Sequence, residues 1–350
     1  MTLGARITGV GRYVPDRIVT NADLERMVDT SDEWIVERTG IRERRIAAPD
    51  ETSSVLGARA GLAAIESAQI DPSTIDLVVA GTCTPDGMFP AAATRIQHAV
   101  GAGRAGAFDV NAACNGFMSA LSTAAQFVHS GTAQRALVVG TETLSRIVDW
   151  NDRSTCVLFG DGAGAVILER AVEGEPGRIN TMLLRSDGAQ AGLLWANGPC
   201  TPGQGGGFGA SPVAQEAHIV MNGAAVFRSA VNALVETSNE AVANAGLTVD
   251  DIALCVPHQA NLRIITAMAD RVGLPMERVY VNVDRYGNTS SATIPIALAE
   301  AEADGRLKPG DRVLLAAFGG GLSWSAMVLE WAGVRASRAG RGAASLAGRA

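Results

Sequence analysis

The sequence predicts an α/β fold built from two copies of one unit. Three observations carry that prediction. Short runs of Val, Leu and Ile alternate with segments of helical periodicity. The order helix, strand, helix, strand, helix, strand, strand occurs twice along the chain. Two pairs of segments also echo one another: DPSTIDLVVAGT at 71–82 beside TVDDIALCVPHQ at 248–259, and RALVVGTET at 135–143 beside DRVLLAAFG at 311–319.

The first copy opens with a helix at 53–69 and a buried strand at 76–82. A helix at 91–101 and a strand at 106–110 follow. The helix at 115–130 sets Phe117, Leu121, Ala124 and Val128 on one face, the spacing of a helix packed on a core. Strands at 135–141 and 163–169 close the unit. The second copy reads as helix 222–245, strand 252–256, helix 260–272, strand 279–283, helix 289–304 and strands 311–317 and 323–331. The joint, 171–221, holds VEGEPG and the glycine-rich run PGQGGGFGASP at 202–212, which reads as a long loop over a site or at an interface. Residues 1–175 and 176–332 are therefore expected as the two halves. The Ala/Gly-rich, basic stretch 333–350 is expected to be an unstructured tail.

Composition narrows the function. The 350 residues are 47% hydrophobic but only 5% aromatic, with 40 glycines, so the core is built of Ala, Val, Leu and Ile with tight turns. No apolar run approaches the roughly 18–20 residues that cross a bilayer. The opening MTLGARITGVGRYVP carries no signal-peptide pattern, so a cytoplasmic protein is expected, with no membrane partner. A net charge of −7 argues against nucleic acid as a partner, although a local arginine cluster can still meet an anion. The five cysteines are odd in number, irregularly spaced and free of any C-x-x-C pair, which suggests neither a disulfide framework nor a zinc site.

One cysteine stands apart. Cys114, in FDVNAACNGF, falls where a strand ends near Val110 and a helix begins near Asn115. A helix start favours the thiolate through its dipole and free N–H groups. Alone, such a cysteine is more often a small buried hydrophobe. In the second copy, however, Asn288 lies at the equivalent junction, and His258 follows directly on the strand at 252–256. Functional groups in α/β sheets gather beyond the carboxyl ends of strands, so the three side chains are expected to converge. The glycines of AFGGGLSW, 317–324, allow close backbone approach and an oxyanion hole. GDGAGA at 160–165 lies between strands and opens no helix, which rejects a dinucleotide site. His98, His129 and His218 read as ordinary surface or core histidines.

These residues sit in a longer set of segments: TNADLERMVDTSDEWIVERTGIRERRIA, ACNGF, FGDGAGA, VPHQANLRII, GNTSSA and AFGGG. Together they closely resemble bacterial beta-ketoacyl-ACP synthase III, the initiating condensing enzyme of type II fatty-acid synthesis, over residues 3–332. The resemblance implies the thiolase fold, with duplicated α/β halves in a five-layered α-β-α-β-α arrangement, and a homodimer. It implies an acyltransferase with acyl-CoA and malonyl-acyl carrier protein as partners and no cofactor. The family's catalytic triad falls on Cys114, His258 and Asn288, and its oxyanion hole on the amides of Cys114 and Gly320. Trp34 and Arg153 would flank the adenine of CoA, Arg38 its phosphates, and Thr30, Gly223, Phe227 and Asn261 the pantetheine arm. Phe89 would close the acyl pocket of the partner subunit. Arg228, Arg263 and Arg271 would dock the carrier protein.

Rival readings are separable. A biosynthetic thiolase would carry a second cysteine in the motif AFGGGLSW, which has none. A plant-type polyketide synthase would carry a GFGPG loop, and a non-catalytic chain-length factor would lack Cys114. A synthase-III-like enzyme of secondary metabolism stays open. The ACN triplet, the PDGMF segment at 85–89 and the glycine-rich loop depart from the commonest pattern of the family.

Overall fold

The structure, a computed structural model, describes residues 4–171, 175–197 and 218–334. The glycine-rich run 202–212 and residues 335–350 of the expected tail lie outside them. In the first half, β1 is Gly4–Tyr13. A small excursion follows: β2 (Arg17–Thr20), α1 (Asn21–Glu25), α2 (Asp32–Thr39) and β3 (Glu43–Ile46). Then come α3 (Ser53–Ala68), β4 (Leu77–Gly81), α4 (Ala92–Ala99), β5 (Gly106–Val110), α5 (Gly116–His129), β6 (Arg135–Thr143) and β7 (Asp161–Ala171). The second half runs β8 (Ile179–Ser186), β9 (Leu194–Ala196), β10 (Ile219–Met221), α6 (Gly223–Asn244), β11 (Leu254–Pro257) and α7 (Leu262–Val272). It ends with α8 (Val283–Tyr286), α9 (Thr293–Ala303), β12 (Arg312–Gly319) and β13 (Ser323–Glu330).

The two main sheets repeat one order, β1-β7-β6-β4-β5 and β8-β13-β12-β11. Val279 adds a parallel bridge to Cys255, in the place that β5 holds beside β4. Side chains alternate across each sheet, as the pleat requires. Leu77, Val79, Ala136 and Val138 face α5 and α9, and from the other sheet Val256, Val313 and Leu315 face the same helices. Val78, Ala80, Leu137 and Val139 pack outward on α3 and α4. Cys255, Leu314, Ala316 and Val328 pack outward on α6 and α7. The result is five layers, helix, sheet, helix, sheet, helix, which is the thiolase fold. Both faces of each sheet are covered, so the strands read as continuous apolar runs.

Three expectations need correction. The helices at 53–69 and 222–245 do not open the halves, because a strand precedes each. β1 escapes sequence reading because its glycines mask the strand pattern. A Cβ at Gly11 would stand 2.3 Å from Ala64 N, so the residue is held small by α3. β8 is a half-exposed outer strand within the supposed joint at 171–221. The expected strand at 279–283 forms only its first rung. Beyond it the Gln259 side chain donates to Tyr280 O at 3.1 Å and accepts from Asn282 N at 3.0 Å, replacing a strand's ladder with an amide side chain.

GDGAGA opens β7, and its glycines serve packing. A Cβ at Gly164 would lie 2.5 Å from Ile296 N of α9. Between the halves the contact is backbone on backbone, since a Cβ at Gly140 would fall 2.3 Å from Ser291 O. Gly140→Ala should therefore cost about 1–3 kcal/mol of unfolding free energy in urea melts. Gly103→Ala, where a Cβ meets nothing within 4 Å, should stay within about 0.5 kcal/mol of the parent.

Candidate active site

Cys114 lies in a 3-10 turn, Ala113–Asn115, from which α5 springs at Gly116. Ala113 is held at φ +46, and the turn is pinned by Ser325 Oγ donating to Asn115 Oδ1 at 2.5 Å. A second turn, Ser290–Ala292, leads into α9 in the same way, with Ser290 at φ +50. The positive φ values align Ala113 with Ser290, so the structural counterpart of Cys114 is Ser291. Asn288 stands three residues earlier, which corrects the junction equivalence read from the sequence. His258 and Gly81 also match, because Leu77 pairs with Ala136 as Leu254 pairs with Val313. The mirror image of the Cys114–His258 pair is thus a brace: Ser291 Oγ donates to Gly81 O at 2.7 Å.

Each polar group has a fixed orientation. His258 donates its backbone N–H to Ala316 O at 2.8 Å, and its Nδ1 lies 2.6 Å from Thr293 Oγ1. Asn288 Oδ1 accepts from Ser290 N at 2.8 Å, which turns its NH2 group toward the sulfur of Cys114. Burial pushes His258 down to about 3, so the imidazole is neutral. Burial pushes the Cys114 thiol up to about 11; hydrogen bonds from Ser290 and Asn288 pull the other way, and the charge of Glu142 adds to the rise. The helix start favours ionisation, and burial opposes it.

Cys114, His258 and Asn288 line one cavity of about 480 Å³ together with Trp34, Arg38, Gly223, Phe227, Arg228, Asn261 and Arg263. His258 and Asn288 are buried, while Arg38, Gly223, Arg228 and Arg263 are exposed, so the cavity runs from a cationic rim to a dry end. Asn261 ties the rim together: its Nδ2 donates to Arg38 O at 3.0 Å, and its Oδ1 caps α7 through Arg263 N at 2.8 Å. The Arg38 and Arg153 guanidiniums lie 5.0 and 4.9 Å from the Trp34 ring centroid.

Other predicted residues lie outside the cavity lining. Arg153 reaches it only through Trp34 and bonds Asp29 O at 2.7 Å. The Thr30 hydroxyl is buried with no hydrogen-bond partner among the described residues. Gly320 abuts Leu194 O, whereas Gly319 makes the closest approach to the nucleophile turn: a Cβ there would stand 2.8 Å from Cys114 N. Arg271 bonds Asn232 at the far end of α7. Phe89 is 84% exposed. Ser290, Thr293 and Glu142 were missed as site residues. The first two stand in or beside the quoted GNTSSA, and Glu142 is a lone charge closing an apolar strand.

The comparisons with known proteins agree with this architecture. Residues 108–188 match the family model for 3-Oxoacyl-[acyl-carrier-protein (ACP)] synthase III, and residues 242–331 match that for its C terminal part. A beta-ketoacyl-[acyl-carrier-protein] synthase III from Roseiflexus sp. strain RS-1 is 51% identical, covering 93% of this chain and 98% of its own. The crystal structure of a synthase III from Thermus thermophilus is 47% identical with a TM-score of 0.86, over 94% of this chain and 99% of that one. The priming beta-ketosynthase of the R1128 polyketide pathway is 41% identical with a TM-score of 0.86, over 94% and 96%. The chain belongs to the 3-oxoacyl-[acyl-carrier-protein] synthase III family, and it is accordingly a condensing acyltransferase.

The depressed histidine has a consequence for stability. An unfolded histidine takes up its proton near 6.5, whereas His258 in the fold holds out to about 3. Between those values only the unfolded chain gains the proton. His258 therefore makes stability fall as pH drops below about 6.5, by up to about 1.4 kcal/mol per pH unit. His258→Gln should flatten the acid limb of a urea-stability profile by about that slope. An unchanged limb would refute the assignment of a neutral, buried imidazole.

Proposed function

We propose that the enzyme performs the initiating condensation of type II fatty-acid synthesis, with Cys114 as the acyl carrier. The observation that carries this reading is the single cavity that joins Cys114, His258 and Asn288 at its dry end to an exposed arginine rim. In the first half-reaction Cys114 attacks the thioester of an acyl-CoA. The amides of Cys114 and Gly320 stabilise the oxyanion, and CoA departs. In the second, the malonyl thioester of an acyl carrier protein enters. Asn288 Nδ2 and His258 Nε2–H donate to its thioester oxygen, the His258 tautomer being the one in which the Thr293 hydroxyl turns from Ser290 O to donate to Nδ1. Loss of CO2 leaves an enolate held by these two neutral donors. Its carbon attacks the acyl-enzyme, giving the 3-ketoacyl-carrier product and expelling Cys114. Departure of CO2 drives the step, so the scheme calls on no metal or redox group.

We infer further that Trp34 and Arg153 flank the CoA adenine, with Arg38 at the phosphates. Thr30, Gly223, Phe227 and Asn261 border the pantetheine arm, and Arg228, Arg263 and Arg271 meet the acidic carrier. Residues 1–175 and 176–332 are taken as the repeated halves, and the setting as the cytoplasm. A homodimer through β5 is supported by that strand's position at the end of its sheet, with no further strand beside it among the described residues. The Phe89 segment is anchored at the same edge: Asp109 of β5 accepts from Ala92 N and Ala93 N at 2.7 and 2.8 Å, leaving Phe89 and Met88 exposed beside it. A fatty-acid role is favoured over polyketide priming because the curated synthase III relatives reach 51% identity, against 41% for the polyketide enzyme.

Incubation with a panel of acyl-CoAs should add one acyl mass to the parent enzyme and none to Cys114→Ala. Acylation of Cys114→Ala would sink the scheme. Asn288→Ala should remain acylated but lose malonyl-carrier decarboxylation by about 10²–10³-fold in kcat, as for removal of one oxyanion donor. Trp34→Ala should raise the KM for acyl-CoA while leaving kcat within a few-fold.

A further inference from the structure

Acylation sets a proton problem. The Cys114 thiol must lose its proton, and His258, held neutral down to about 3, is a poor acceptor. A second acid lies close by. Glu142, at the end of β6, is fully buried and reaches across to the turn that precedes α9. Its carboxylate accepts from Cys83 N at 3.2 Å, Thr84 N at 3.1 Å and Thr84 Oγ1 at 2.5 Å, and from Ser291 Oγ at 2.9 Å. Thr82 Oγ1 at 3.3 Å and the Cys83 thiol at 3.5 Å complete the shell. Burial pushes its carboxyl up and the hydrogen bonds pull the other way; since every contact is a donor, the ionised form is the one this shell satisfies. Among the described residues no lysine or arginine pairs with it. The remaining contact is Ser290, whose hydroxyl donates to Glu142 Oε1 at 3.2 Å, and whose turn packs against the Cys114 turn so that its side chain favours the ionised form of that thiol. Ser290 is held between the two by a left-handed backbone, at φ +50, that a serine adopts only under constraint.

We propose that Glu142, acting through the Ser290 hydroxyl, stores the Cys114 proton between the two half-reactions. The proposal rests on Cys114 being the acylated nucleophile. As the sulfur attacks, its proton passes to Ser290 Oγ, and the Ser290 proton passes to Glu142. The S–H bond and the carbon–sulfur bond to CoA break, and the carbon–sulfur bond to Cys114 forms. CoA leaves as a thiolate and takes a proton from water at the open end of the cavity. In the condensation, CO2 leaves, the carbon–carbon bond forms and Cys114 is expelled as a thiolate, and the relay runs backward to reprotonate it. Glu142 is thus neutral while the malonyl carboxylate and the enolate occupy the site, which removes a like charge from beside them. Glu142 acts through Ser290 and is a positioning and proton-holding residue.

The balance gives the test. Without a store, acylation at neutral pH exchanges one thiol for another and consumes no proton. With it, each acyl-enzyme takes up one proton from solvent. Acyl-CoA mixed rapidly with enzyme in weak buffer containing a pH indicator should show about one proton consumed per adduct, the adduct being counted by intact mass on the same sample. Infrared difference spectra of the parent enzyme should gain a carboxylic-acid C=O band on acylation, shifted by 13C-labelled glutamate. Glu142→Gln and Ser290→Ala, once acylated, should consume no proton and lack the band. An adduct without proton uptake and without the band in the parent enzyme overturns the store and leaves Cys114 in place. No adduct in the parent overturns Cys114 as nucleophile, and the store with it.

Discussion

The site depends on how closely the two halves approach. Where the starts of α5 and α9 meet, Gly116 and Gly140 let the backbones approach closely. A Cβ at Gly140 would fall 2.3 Å from the Ser291 carbonyl oxygen, and one at Gly116 would stand 3.3 Å from Ser291 Cβ. Among the polar contacts that register the halves are Ser291 Oγ on Gly81 O and Ser325 Oγ on Asn115 Oδ1. Close approach brings residues far apart in sequence into one cavity: Cys114 from the first half, His258 and Asn288 from the second. It also buries His258 and Asn288, and that burial favours the neutral imidazole and pushes the Cys114 thiol up.

The duplication has been put to unequal use. Each half ends a strand at a polar turn that starts a helix. In one copy that turn carries a thiol facing an imidazole, and in the other a serine facing a backbone carbonyl. The second pair ties the halves together, and the first is the one we propose reacts. Glu142 belongs with the binding pair in position, since it caps β6 as Gly319 caps β12. Through Ser290 it nonetheless touches the reacting one. A shared scaffold thereby lets structural and chemical hydrogen bonds meet in a single side chain.

Much of this was legible in the sequence, for physical reasons. The long apolar runs of β4, β6 and β12 are buried on both faces, so composition alone marks them. Cys114, His258 and Asn288 could be singled out because polar groups at strand ends interrupt apolar patterns, and the three line one cavity. What stayed hidden depended on features that leave no periodicity. β1 is broken up by glycines that α3 demands. The segment after Val279 looks like a strand and is held by the Gln259 side chain instead. The exact match between the halves turns on backbone angles at Ala113 and Ser290, which residue type does not announce. Glu142 was absorbed into the strand it terminates. A helix start beside Cys114 is visible in the sequence, and the burial that opposes ionisation there is not.

The arginine rim has a consequence for encounters. The molecule as a whole carries a net charge of −7, yet its cavity opens among Arg38, Arg228 and Arg263. At about 0.1 M salt a charge is felt over only about 10 Å. An anionic molecule drifting toward most of the surface therefore meets mild repulsion, and one arriving at the rim meets attraction. The surface sorts collisions by direction before any pocket residue is touched, and the sorting fades as salt shortens the range over which the rim is sensed.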